Sequence, residues 1–78
     1  MAVTSRPRVI QTGVVSDFDE PRGLGTVLGD DGRRFDFHCT AIADGSRRID
    51  VGAAVTFVVA ASHLGRFEAR AITTRLHV

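Results

Sequence analysis

No stretch of this chain keeps a helical repeat of apolar residues; five short runs alternate in the manner of strands instead. "VIQTGVVSDF" at 9–18 is rich in β-branched residues, and "DEPR" at 19–22 turns the chain on a proline. "GLGTVLG" at 23–29 reads as a short strand weakened by glycine, which inside a strand marks a bend or a close backbone approach. "DDG" at 30–32 is a hairpin turn with Asp31–Gly32 the favoured pair, and "RRFDFHC" at 33–39 is the next strand. In that strand Phe35 and Phe37 share one face, and Arg34, Asp36 and His38 share the other.

A longer connection at 40–52 holds a short helical turn at Thr40–Ile42, with Ile42 and Ile49 plugging the core. "AAVTFVVAA" at 53–61 is the fourth strand, with Val55, Phe57 and Val59 on one face. "SHLG" at 62–65 turns the chain into "RFEARAITTRL" at 66–76. There Phe67 and Ala69 fall on one face and Glu68 and Arg70 on the other; Ile72 is out of phase with Phe67, which predicts a bulge or a change of face. Phe35, Phe37, Phe57 and Phe67 are assigned to the core, leaving Phe18 as the one ring suited to an exposed position, with the core its equal alternative.

An open five-stranded sheet this short would leave one face and both edges bare, and a closed barrel removes both problems. The fold class predicted is therefore all-β, a small five-stranded barrel. The 78 residues allow one domain, divided into an arm at 1–8, "MAVTSRPR", and a barrel at 9–78.

Net charge is +1, so the chain does not advertise a polyanion partner. All ten cationic side chains are arginine, each able to fork against phosphate or carboxylate. Cys39 is the single cysteine, which rules out an internal disulfide. No apolar start reads as a signal peptide and no run approaches a membrane span, so a cytoplasmic protein is expected. Asp17, Asp36 and His38 suit a divalent ion chemically, but their spacing matches no metal motif, so neither metal nor cofactor is expected. Ser16, His38 and Cys39 form no nucleophile system, and "GLGTVLG" precedes no helix that would make it a phosphate loop; an enzyme is not expected.

The order of the pieces resembles the bacterial cold-shock domain. The resemblance runs through "QTGVVSDF" at 11–18, "RGLGTV" at 22–27, "FDFHCTAI" at 35–42, "GSRRIDVGAAVTF" at 45–57 and "RFEARAI" at 66–72. It implies an OB-type barrel that binds single-stranded RNA or DNA, with a role in gene regulation or RNA chaperoning. Where that family's first ribonucleoprotein motif reads Lys-Gly-Phe-Gly-Phe-Ile, this chain has Arg22, Gly23, Leu24, Gly25, Thr26 and Val27. Where its second reads Leu-Phe-Val-His-Phe, this chain has Phe35, Asp36, Phe37, His38 and Cys39. The family's strand-one tryptophan falls at Asp17, and its loop aromatic at Ser46.

Most stacking rings are thus replaced. Each stacked base is worth about 1–3 kcal/mol, so their loss argues against a strong general binder. The expected nucleic-acid contacts are Phe18, Arg22, Leu24, His38, Arg47 and Arg48, with weak single-strand RNA or DNA binding that fades with salt. The competing expectation is a barrel re-used for a protein partner or a homodimer, with Val14 and Leu24 joined in a mild apolar patch bordered by charge.

Overall fold

The computed structural model describes residues 10–61 and 65–75. Residues 1–9, which include the arm expected at 1–8, residues 62–64, where a turn is expected, and residues 76–78 lie outside the described set. Five strands run in chain order: β1 (Ile10–Asp19), β2 (Leu24–Gly29), β3 (Arg34–His38), β4 (Ala54–Ala61) and β5 (Phe67–Thr74). They close into a barrel, as the sequence predicts, and the strand order is β1-β2-β3-β5-β4. Every neighbouring pair is antiparallel except β3 and β5. That parallel seam is thin. It rests on the Asp36–Glu68 pairing, an Ile42–Ile72 bridge and the Ala43 N–H donating to the Ile72 carbonyl at 2.8 Å.

Alternation decides what goes inside. Val15, Val27, Phe35, Phe37, Val55 and Phe57 are buried, joined by Ala69, Ile72 and Ile42. Each large apolar side chain removed from water contributes roughly 1.5–3 kcal/mol. Ile42 follows a single 3₁₀ turn, Cys39–Ala41, and Ile49 packs against the core from the long connection. The β2–β3 connection spans residues 30–33, with Gly32 at φ +89°. The Gly29 N–H closes it by donating to the Arg33 carbonyl at 2.7 Å.

Two bulges set the phase. On β1, Val15 pairs with Val27 but Asp17 pairs with Thr26, so Ser16 is the extra residue. The slip carries Phe18, opposite Gly25, to the inner side, where its ring lies parallel to Phe37 with centroids 5.9 Å apart. On β5, Thr73 pairs with Thr56 and Arg70 with Val58, and Ala71 sits between them at φ +53°. This is the bulge expected from the phase of Ile72, and it turns Ile72 into the core.

Phe67 corrects the sequence reading. It shares the phase of buried Ala69, yet it is 62% exposed. It pairs with Ala61 at the last rung of the β4–β5 ladder, beyond the layer that Phe35 and Phe57 fill. Alternation gave its face correctly and could not reveal that the core stops one rung earlier.

Gly25 lies opposite both Phe18 and Phe37. A Cβ there would come within 2.5 Å of the Phe37 ring and 2.8 Å of the Asp17 carbonyl. Gly25→Ala is expected to destabilise the barrel by about 3 kcal/mol, the upper range for overpacking. Urea titration followed by far-UV circular dichroism measures the loss.

Candidate nucleic-acid interface

With Val15, Val27, Phe35 and Phe37 pointing inward, the alternate residues of β1, β2 and β3 make one outer face in three registered rows. Nearest the β1–β2 turn stand Asp19, Leu24 and His38. The middle row is Asp17, Thr26 and Asp36, extended across the seam by Glu68. The third row is Val14, Leu28 and Arg34. Val14 and Leu24 therefore stand two rows apart, and the apolar patch expected from them does not form.

The glycines of "RGLGTV" are explained by the barrel itself. Gly23, at φ +67°, donates from its N–H to the carbonyls of Asp19 at 2.8 Å and Glu20 at 3.1 Å. A Cβ on it would meet the Cys39 sulfur at 2.7 Å. The Cys39 N–H donates to the Gly23 carbonyl at 2.7 Å, which ties this turn to the end of β3. Sequence spacing signals both glycines, but their first duty is packing.

The six residues singled out in the sequence gather at this end. Leu24 is 48% exposed and lies directly across from exposed His38. The His38 Nδ1 accepts from the Thr40 N–H, which puts the neutral ring's proton on Nε2 and leaves that N–H as the donor it can offer. Phe18 is half-buried, with one ring face committed to Phe37. Arg22 leans on Asp19, with its Nε 3.6 Å from the carboxylate. Arg48 reaches Glu20 at 2.9 Å and so brings the 46–48 loop beside the β1–β2 turn. Arg47 is exposed at φ +61° and has no carboxylate partner among the described residues.

The loop carrying Arg47 and Arg48 is held by short-range hydrogen bonds. The Ser46 N–H donates to Asp44 Oδ1 at 2.8 Å, and the Ser46 hydroxyl donates to the Arg48 carbonyl at 3.0 Å. The Ser46 backbone bond, aided by the side chain, holds the Asp44 carboxyl below its ordinary value. Asp31 is lowered in the same way, chiefly by the Arg33 N–H, in the β2–β3 turn.

Sequence reasoning missed three elements of this surface. Asp19 and Glu20 neutralise two of the expected phosphate-binding arginines. The acidic middle row spans four strands once Glu68 joins it. The largest exposed ring is Phe67, which precedes the Asp36-paired Glu68 and so lies toward the Phe35 end of β3, away from His38. Only the first had a local signal, since Asp19 and Arg22 are three residues apart. A shallow depression of about 310 Å³ crosses the face between Asp17, Asp19, Arg22 and Asp36, with Gly25 and Phe37 among its lining. Among the described residues no three His, Cys, Asp or Glu side chains group as metal ligands, and no helix is long and apolar enough to cross a membrane.

A depressed carboxyl adds stability above its ordinary value, near 3.8, and that share is lost as pH falls through the folded-state value. Asp44→Asn is therefore expected to melt below the parent at neutral pH, with the gap closing as pH falls below the ordinary carboxyl value near 3.8. Thermal melts across this range measure it.

No family model and no curated protein matches the chain. A solved structure described as "drosophila Unr CSD456" does match, with 27% sequence identity and a TM-score of 0.73. The match covers 88% of this chain and 28% of that one, so the present chain corresponds to less than a third of that chain's length. The chain is an OB-type, cold-shock-domain-like barrel, remotely related to that structure.

Proposed function

We propose that this barrel binds short single strands of RNA or DNA weakly, at the end bearing the β1–β2 turn. The observation that carries the reading is convergence: Phe18, Arg22, Leu24 and His38 meet at one end of three strands, and the Arg48–Glu20 pair draws Arg47 and Arg48 to the same end. The relationship to a cold-shock-domain structure supports membership of a nucleic-acid-binding superfamily. In that role His38 offers Nε2–H to a base edge, Leu24 gives an apolar rest, and the arginines meet phosphate. A part in gene regulation or RNA chaperoning follows from the same resemblance.

The footprint is short because the next row is hostile. Asp17 and Asp36 flank Thr26 and repel a phosphate backbone that would run on across the sheet. Arg22 and Arg48 must also exchange Asp19 and Glu20 for phosphate, which costs little at exposed sites but gains correspondingly little. With so few cations free, the logarithm of affinity falls with the logarithm of salt by about 0.7 per phosphate held.

Anisotropy titration of labelled DNA and RNA oligonucleotides at low and moderate salt tests this. Weak binding that fades with salt is expected, and R22A/R48A should weaken it several-fold. D17N/D36N should tighten it by a similar factor, because two repulsive charges leave the face. Failure of the parent to bind either polymer at low salt rejects the reading.

A further inference from the structure

We infer that the outer face of β1, β2 and β3 is a self-complementary docking surface for a second copy of this chain. The inference goes beyond the nucleic-acid reading and does not depend on it. It starts from charges left without local partners. Arg22, Arg33, Arg48 and Arg70 each hold a carboxylate at 2.9–3.6 Å. Arg34, exposed at the edge of the third row, holds none among the described residues. Asp17 and Asp36, in the row above, have no cationic partner among the described residues either. Their polar contacts are slight: Thr26 Oγ1 donates to Asp36 Oδ1 at a long 3.4 Å.

These groups line one depression of about 440 Å³, formed by Ser16, Asp17, Thr26, Arg34 and Asp36. The face thus carries both signs within one patch, next to the apolar pair Val14 and Leu28. A polyanion matches only Arg34 on it. A uniformly basic partner matches only the aspartates. A second copy matches both, because a two-fold contact is isologous: Arg34 of one copy meets the aspartates of the other, and the reverse pair forms by symmetry. Val14 and Leu28 then lose water at the same contact. A three-stranded patch is small against the roughly 1,200–2,000 Å² that stable complexes bury, so the association is weak and concentration-dependent. The face includes the Leu24–His38 row, so dimer and nucleic acid compete for that end.

Sedimentation equilibrium of the full chain without nucleic acid, from about 10 µM to about 1 mM, tests the inference. The weight-average mass is expected to rise above 8.4 kDa with concentration, and to rise less with added salt. R34D and D17R/D36R should each weaken association by about tenfold or more, which corresponds to about 1.4 kcal/mol. An equimolar mixture of R34D with D17R/D36R should associate again, because every contact across the face regains opposite signs. Circular dichroism checks that both variants stay folded, and all the changed residues are exposed. A parent that stays monomeric over the whole range overturns the inference. So does association that the charge changes and the mixture leave unmoved. Either result leaves the oligonucleotide titration free to succeed or fail by itself.

Discussion

The barrel closes around a side chain that is not there. Gly25 is the rung between Phe18 on β1 and Phe37 on β3; the two rings lie parallel, 4° apart in plane, and the Phe37 ring crowds the space a Cβ would fill. Interiors packed near crystal density have no room to move a ring aside for one methyl group. The Ser16 bulge serves the same contact, since without the extra residue Phe18 would face solvent.

The pleat then separates folding from function. Every second residue of β1 to β3 is committed to the interior, while the alternate set can change at little cost, since exposed substitutions shift stability by about 0.5 kcal/mol or less. Asp17, Leu24, Thr26 and Asp36, where the cold-shock resemblance puts rings, belong to that alternate set. Replacement of the rings therefore leaves the OB-type barrel intact and rewrites what its surface attracts. The four ion pairs among the described residues follow the same logic. Each is exposed and worth at most about 1 kcal/mol, so they shape the potential of the surface more than they hold the fold.

Much of this was legible beforehand. The five strands, the Phe35/Phe37 and Val55/Phe57 inner faces, the 3₁₀ turn, the plug of Ile42 and the irregularity before Ile72 all rest on local alternation and turn chemistry. The near-neutral balance showed in the composition, but the long-range pairing of the charges did not. Arg48 pairs with Glu20 across 28 positions of sequence, and Asp36 meets Glu68 across 32, separations at which no periodicity speaks.

Residue order by itself determined which face each strand residue belongs to within its own run, and where the chain must turn. Both depend on bonds and sterics within a few residues. Tertiary structure alone decided that Phe18 turns inward, that Phe67 stays out, and which arginines keep an unpaired charge. Those outcomes depend on a bulge that shifts register, on the depth at which the core ends, and on which distant carboxylate is brought within reach. None of these is fixed until the ring of strands has closed.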